Sequence, residues 1–223
     1  MALAAGVLTA LAFGALPVVA SAGEFTADCE TGAGKVCEGI VSGGAVVFSN
    51  TAGETIGCSS VTGIGTVTDG SSTGTVSLEA SGCKETITGF KFSCNSPGQA
   101  AGKMSTGTLV AHGVYVDPNK TLPGILVTNV NMTIECAGFA KKTVTGNLIG
   151  ADPTPECGVF KASETGSLQT TTHGQQQYKQ VTTTGTVFDL ISNNDSGGTY
   201  LTTAVTGTAT VTAKAGDKVK ATC

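Results

Sequence analysis

Short runs in which apolar and polar residues alternate recur along most of this chain. Val, Ile and Leu alternate with Thr, Ser and other small residues in these runs, and Gly, Asn, Asp or Pro bounds them. β-branched residues with a period of two are typical of strands that bury one face. After residue 22, no stretch keeps an apolar stripe at helical spacing for about twelve residues. The pattern therefore predicts an all-β chain, with strands at 63–68, 74–78, 108–116, 125–134, 142–149, 182–190 and 203–213.

The length of the chain leaves either one or two domains open. About 200 residues after a leader suit one large β-sandwich or two small ones. A break between two units would fall in the Pro- and Gly-rich stretch 95–103. We expect a single unit, because strands from both halves are needed to cover an apolar face. The predicted fold class is a disulfide-stapled antiparallel β-sandwich that forms one extracellular domain over residues 23–223.

The first 22 residues have the features of a signal peptide. They carry no charge, contain one apolar run and end in Ala20-Ser21-Ala22, the small-x-small pattern that signal peptidases cut. They lack the usual basic start, and an uncleaved N-terminal anchor stays open as the alternative. We expect cleavage after Ala22. No later segment is apolar enough to cross a bilayer, so the predicted location is secreted or at the cell surface.

The cysteines fit an exported chain. All of them follow residue 22, and their number, 8, is even, as an oxidised protein requires. Zinc sites favour close pairs such as C-x-x-C, whereas the shortest gap here lies between Cys29 and Cys37. We therefore predict disulfides, and no metal or cofactor, from Cys29, Cys37, Cys58, Cys83, Cys94, Cys136, Cys157 and Cys223.

One disulfide follows from hairpin geometry. If Gly70-Ser71 forms a two-residue turn, residues whose numbers sum to 141 lie opposite each other on the two strands. Cys58 and Cys83 satisfy this condition, so a bridge between them would close the open end of the hairpin. The other pairings are less constrained, and the plausible ones are Cys29–Cys37, Cys94–Cys136 and Cys157–Cys223.

The charge pattern argues against nucleic acid as a partner. The net charge is -4, and charged residues make up 13% of the chain. Every basic residue is Lys, and Trp is absent. Nucleic-acid binding needs a basic face, and Arg is the preferred phosphate ligand. We expect a surface built largely from Thr, Ser, Gly and Asn.

The stretch SPGQAAGKMST, residues 96–106, contains the residue types of a phosphate-binding loop: two glycines, a lysine and nearby hydroxyls. The Walker pattern needs four residues between its glycines, whereas three separate Gly98 from Gly102, and Met104 stands where the pattern needs a hydroxyl. The pattern also needs a following helix, and the run at 108–116 predicts a strand. A tight loop beside Cys94 is the better interpretation.

Candidate catalytic residues are few. His112 shares a strand face with Val110, Val114 and Val116, and a histidine there is usually packed and hydrogen bonded. A hydrolase would need Asp117 to orient His112, and Ser96 or Ser105 as nucleophile, although no Gly-x-Ser-x-Gly elbow exposes one.

A second hydrolytic alternative uses paired carboxylates. Glu79 and Glu135 lie within predicted strands. Glycoside cleavage needs two acids about 5–10 Å apart across a cleft. A charge on the solvent face of a strand is the ordinary explanation for each of them.

Several cysteine and glycine motifs carry a resemblance to a known group. Gly57 to Phe188 resembles uncharacterised secreted β-rich proteins of actinobacteria, which have no assigned activity, through CNSPGQAAG at 94–102, TL at 108–109, VY at 114–115, CAG at 136–138, VTGNLIG at 144–150, SGC at 81–83 and GQQQ at 174–177. The resemblance implies export and a β fold, and no reaction.

These observations predict an exported cell-envelope or extracellular structural or binding protein without catalytic activity. Its partner would be an envelope or extracellular polymer or a protein. The alternatives are a secreted hydrolase that uses His112 or the Glu79/Glu135 pair, and a carrier of small apolar ligands with an apolar pocket between its sheets.

Overall fold

The chain forms β-strands through nearly all of its described length. The computed structural model describes residues 25–30, 32, 34–87, 89–116, 123–136, 141–151, 157–168, 190–194, 201–214 and 217–222. Within these ranges the strands are β1 (Thr26–Cys29), β2 (Val36–Asn50), β3 (Thr55–Cys58), β4 (Ser60–Thr68), β5 (Thr73–Ser81), β6 (Lys84–Ile87), β7 (Phe90–Asn95), β8 (Lys103–Tyr115), β9 (Pro123–Cys136), β10 (Lys141–Ala151), β11 (Ser163–Leu168), β12 (Leu190–Asn194), β13 (Leu201–Ala213) and β14 (Val219–Thr222).

The alternating runs are confirmed as strands wherever the structure describes them. β4, β5, β8, β9, β10 and β13 contain or overlap the predicted runs. The run at 182–190 lies outside the described residues except at its last position. The leader 1–22 and its cleavage site also lie outside them, so the signal peptide and the domain boundary stay predictions.

The twelve strands from β2 to β13 form one antiparallel sheet. β3 and β4 both pair with β2 in a single register, so they occupy one strand position interrupted at Ser59. Other short strands share positions in the same way. The positions run in the order β2, β3 with β4, β5 with β6, β7 with β8, β9, β10, β11 with β12, and β13.

The sheet closes on itself because β13 pairs with β2 over most of its length, from Thr203 opposite Asn50 to Ala213 opposite Gly39. The all-β, antiparallel and disulfide-stapled fold class is thereby confirmed. The two layers expected of a sandwich are opposite walls of this single closed sheet, and they face each other across a shared core. Strands from both halves of the chain contribute to it.

The core fills the space inside the closed sheet. Inward side chains from nearly every strand position meet there, and they include Val46, Val61, Leu109, Val127, Met132, Ile134, Val144 and Val205. Burying one such side chain contributes about 1.5–3 kcal/mol. A second, smaller cluster consists of Val114, Leu126 and Ile149, which are almost fully buried. Leu126 precedes the inward-facing Val127, so this cluster lies on the opposite face of the sheet.

The predicted bridge between Cys58 and Cys83 is present, with a Cα–Cα distance of 3.9 Å. β4 pairs with β5, and β3 with β6, in the register predicted from a turn at Gly70-Ser71, because every recorded pair sums to 141. One turn thus sets the register of all ten recorded pairs.

The structure also contains the bridges Cys29–Cys37 and Cys94–Cys136. Cys94 and Cys136 lie directly opposite each other on β7 and β9. Cys157 is disulfide-bonded as well, whereas its predicted partner Cys223 lies outside the described residues. Disulfides persist where thiols are not kept reduced, so these bridges indicate an oxidising, extracellular-type environment.

A separate two-stranded sheet of β1 and β14 lies at the end of the closed sheet that carries the β4–β5 turn. Ala27 bridges to Ser71 of that turn, and the N–H of Phe25 donates to the carbonyl of Gly113 at 3.2 Å. The ring of Phe25 packs edge-on against Tyr115, with a centroid distance of 6.0 Å. β1 is therefore anchored to β2 by a disulfide and to β8 by packing.

Close backbone approach explains some of the glycines. A Cβ at Gly63 would collide with the backbone oxygen of Ser77 and with the Leu78 side chain. Two residues along the same face of β4, a Cβ at Gly65 would meet only the backbone oxygen of Thr75 at 3.6 Å, an ordinary contact. The two positions have the same sequence context but different space.

We predict that Gly63→Ala lowers the free energy of unfolding by about 2 kcal/mol, because the backbone of β5 must shift to make room. Gly65→Ala should change it by less than about 1 kcal/mol, with a gain from the restricted unfolded chain. Denaturant unfolding of both variants measures this. Equal losses at the two sites would show that close approach at Gly63 is not the cause.

The pairing of β1 with β14 should depend on pH through Asp28. The Thr222 hydroxyl donates to Asp28 Oδ2 at 2.8 Å, and the Lys220 Nζ lies 3.2 Å from the same oxygen. The hydroxyl first, and then the ammonium, lower the pKa of Asp28 below its ordinary value. A lowered folded-state pKa stabilises the pair above the unfolded pKa of about 3.9 and loses that effect as the pH falls through the folded value.

We therefore expect the hydrogen-exchange protection of β14 amides to fall as the pH drops below about 4. Asp28→Asn tests the assignment, because an amide at this position does not titrate and the fall in protection should become smaller. An unchanged profile in Asp28→Asn would contradict this assignment.

Candidate functional site

The structure keeps His112 apart from Ser96 and Ser105, the two serines that the hydrolase alternative offers as nucleophile. His112 lies on β8 opposite Leu126 of β9, and its Nε2 is 3.5 Å from the Thr128 Oγ1. Ser105 precedes it on the same strand, about 23 Å away at an extended rise of about 3.3 Å per residue. The Ser96 hydroxyl accepts the N–H of Ser105 at 3.0 Å, so it is equally remote. Asp117 lies outside the described residues.

Glu79 and Glu135 lie on different strands, and each has its own lysine. Glu79 of β5 pairs with Lys103, and Glu135 of β9 pairs with Lys141 at 3.0 Å. The position of β7 and β8 separates β5 from β9, which puts the two strands about 10 Å apart before any offset along the sheet. This arrangement favours the ordinary explanation of surface ion pairs over a catalytic pair.

The loop 96–102 folds back on itself between β7 and β8. The N–H of Ser96 donates to the carbonyl of Lys103 at 2.9 Å, and the carbonyl of Gly102 accepts the N–H of Cys83 at 3.0 Å. β8 begins at Lys103, so the strand predicted after the loop is confirmed. With its lysine paired to Glu79, the loop has neither the helix nor the cation of a phosphate site.

One side of the closed sheet presents a surface with few charges. Ile40 of β2 and Ile64 of β4 lie directly opposite each other and are 49% and 50% exposed. On the next row, the hydroxyls of Thr66 and Thr75 hydrogen bond at 2.7 Å. We call this surface the outer wall, and it includes Val36, Ile40, Thr62, Ile64, Thr66, Thr75, Ser77 and Thr108.

Both carboxylates on the outer wall are neutralised by lysines. Glu38 pairs with Lys214 at 2.7 Å, and Glu79 pairs with Lys103. The wall continues onto β11 and β13, where the hydroxyls of Thr165 and Thr210 hydrogen bond at 2.9 Å. It therefore presents hydroxyls and aliphatic side chains to the outside, with no net charge from these pairs.

The interior contains an apolar cavity of about 90 Å³. Its one hydroxyl from β8, Thr106, already donates to the carbonyl of Gly107 at 2.8 Å. The remaining lining includes Val41, Val46, Val61, Leu78, Ala80 and Met132. The cavity has the apolar lining that is expected of a carrier of small apolar ligands. Its volume is below the range of about 300–1,000 Å³ that is usual for ligand sites.

A buried charge cluster lies at the end of the interior that carries the β2–β3 turn. Lys142 of β10 contacts Glu85 of β6, and its Nζ lies 3.2 Å from Glu54 Oε2. The side chains of Lys142 and Glu85 are 10% and 3% exposed, against 36% for Glu54. Asn50 completes the cluster, because its Nδ2 donates to Glu54 Oε2 at 2.7 Å.

A disulfide flanks this charge cluster. The carboxylate of Glu85 and the sulfurs of Cys94 and Cys136 lie within 4.8 Å of one another. Because the sulfurs are bonded to each other, they do not act as thiolate ligands for a metal. The side chain of Glu85 is therefore shielded from solvent and lies beside the disulfide that joins β7 to β9.

Sequence reasoning missed the charge cluster. In the strand predicted at 142–149, Lys142 lies two residues before Val144 and therefore on the same face. A charged residue on the apolar face of a strand is the signal that would have identified it. Its partner Glu85 is 57 residues away in the chain, so only the fold brings the two together.

No family model, no curated protein and no solved structure matches this chain. The resemblance to secreted actinobacterial proteins therefore stays a prediction. Among the described residues, none forms a helix with the length and apolarity that a membrane crossing requires.

We predict that Ala80→Val raises the free energy of unfolding by about 1 kcal/mol, because the added methyl groups fill the interior cavity. Ala45→Val on β2 is the matched control, since Ala45 is exposed and should change stability by less than about 0.5 kcal/mol. Thermal and denaturant unfolding provide the measurement. Destabilisation by Ala80→Val would show that the cavity has no room for two methyl groups.

Proposed function

We propose that this protein is an exported structural or binding protein, secreted or held at the cell surface, that acts through its outer wall without catalysis. The main support for this proposal is the exposed pair of Ile40 and Ile64, which lies among rows of threonine and serine. Three further features support the proposal: the disulfides fit an oxidising environment, the candidate catalytic residues are dispersed, and the interior is occupied by the core.

The composition of the wall suggests the chemistry of the partner. A wall with paired charges has little long-range attraction for a charged polymer. Exposed isoleucines and hydroxyls fit an uncharged surface on an envelope or extracellular polymer or on a protein. Binding of this kind should change little with salt, whereas binding to nucleic acid weakens steeply as salt rises.

We expect the purified mature protein to enrich one component from envelope fractions or extracellular polymers, with similar yield in low and high salt. The double variant Ile40→Lys/Ile64→Lys should lose this binding at least tenfold, because two buried ammonium groups oppose an apolar contact. Both side chains are about half exposed, so the fold should persist, which circular dichroism checks.

Phe90→Lys is the matched control, because Phe90 is 69% exposed on β7, away from the outer wall. It should bind as the unmodified protein does. Loss of binding in Phe90→Lys but not in the double variant would place the contact elsewhere. Enrichment of nothing from any fraction would contradict the proposal.

The interior cavity favours a carrier of small apolar molecules as a second function. At about 90 Å³, it is smaller than an apolar cavity of about 150 Å³ that holds benzene. It would accept a guest of only a few carbon atoms. Ala80→Val separates the two functions, since it should abolish uptake of such a guest without changing the outer wall.

A further inference from the structure

The buried charge cluster contains the groups that an amide-forming reaction needs. Lys142 supplies an amine, Asn50 supplies a carboxamide, and both contact the same carboxylate oxygen of Glu54. Contacts of 3.2 and 2.7 Å to that oxygen place the two nitrogens within about 6 Å of each other. Reacting atoms in near-attack geometry are about 3–3.5 Å apart, so a change in the terminal torsions of the lysine would bring Nζ to Asn50 Cγ.

The carboxamide of Asn50 is polarised for attack. Its Oδ1 accepts the backbone N–H groups of Ala52 and Glu54, each at 3.1 Å. Donors of this kind stabilise the oxyanion that forms when an amine adds to a carbonyl. An asparagine that starts a turn makes similar bonds. The turn alone, however, does not account for a buried lysine beside the same side chain.

We propose that Lys142 and Asn50 become joined by an intramolecular isopeptide bond, which forms spontaneously in the folded protein. Glu85 takes a proton from the Lys142 ammonium, and the resulting amine attacks Asn50 Cγ. The Nζ–Cγ bond forms and the Cγ–Nδ2 bond breaks. Glu54 passes the second proton of the amine to Nδ2, which leaves as ammonia. No electrons are gained or lost overall, and no oxidant is needed.

The burial of the cluster suits this chemistry. Lys142 and Glu85 are almost fully shielded from solvent and contact each other, so the ammonium proton has a direct acceptor in the carboxylate. After the reaction Glu85 keeps its proton, so no unpaired buried carboxylate is left at that position.

There is space for the required movement. A cavity of about 20 Å³ adjoins the cluster and is lined by Asn50, Glu54 and Lys142, together with Thr203. The lysine can therefore change rotamer without displacing the core. The cavity is also large enough to hold one small molecule, such as the departing ammonia.

The bond would join strand positions that the described disulfides leave unconnected. Asn50 ends β2, and Lys142 is the second residue of β10, so the cross-link would span the interior between non-neighbouring strands. By contrast, Cys58–Cys83 and Cys94–Cys136 each join neighbouring strand positions.

Mass spectrometry of the secreted, reduced and alkylated protein tests the proposal. The chain should weigh about 17 Da less than its sequence, the mass of one ammonia. Trypsin cleaves after lysine but not after an acylated one. It should release residues 36–84 joined to residues 142–161 as a single branched peptide. Separate peptides 36–84 and 143–161 of full mass would overturn the proposal.

Matched lysine variants locate the bond. Lys142→Arg keeps the positive charge but removes the amine, so the mass loss should disappear, whereas Lys141→Arg should retain it because Lys141 pairs with Glu135 at the surface. Glu85→Gln should slow or abolish the bond, and Glu135→Gln should not. Should Lys142→Arg not fold, the peptide map of the unmodified protein decides alone. A loss of about 18 Da would place the bond on a carboxylate and overturn the assignment to Asn50.

Discussion

The pairing of β13 with β2 is the constraint on which this structure depends. It joins segments more than 150 residues apart in the chain and turns a meandering sheet into a closed one. Closure directs the inward side chains of every strand position toward one core. Because such long-range pairs form late and cost chain entropy, closure needs support that local hairpins do not provide. The described disulfides join neighbouring strands or the N-terminal segment, so that support comes from the core and from the buried charge cluster.

The charge cluster therefore contributes to the specificity of the fold. Burying an ion pair such as Lys142 with Glu85 costs several kcal/mol per ion, and an apolar replacement of similar shape would often be at least as stable. Lys142 reaches across the interior to residues from β6 and from the β2–β3 turn. It thereby specifies which strands meet at that end of the sheet. A chain in which charged residues make up only 13% of the length keeps three of them together with an asparagine, and two of the three, Lys142 and Glu85, are buried.

Local rules predicted the hairpins well but not the closure. The register of β4 with β5, and the Cys58–Cys83 bridge, followed from one turn because pairing across a hairpin is set by residue number. β2 escaped prediction, although it is the longest described strand, because Gly43 and Gly44 interrupt its alternation beside an irregularity in the β13 pairing. A Cβ at Gly43 would collide with the carbonyl of Thr208, so partners that are distant in sequence determine those glycines. The cluster of Lys142, Glu85 and Glu54 could not be predicted either, because its members are also distant from one another in the sequence.

Closure also explains how the outer wall can carry so little charge. An open sheet with Thr- and Ile-rich strands would expose unpaired backbone groups at its edges, and charged residues normally protect such edges from pairing with other chains. Here the edges of β2 and β13 pair with each other. The side chains of the wall are thus relieved of that protective role, and threonine suits them because it favours extended backbone and needs no counter-ion. What remains on the outside is a surface of hydroxyls and aliphatic side chains whose composition does not have to protect the sheet from edge pairing.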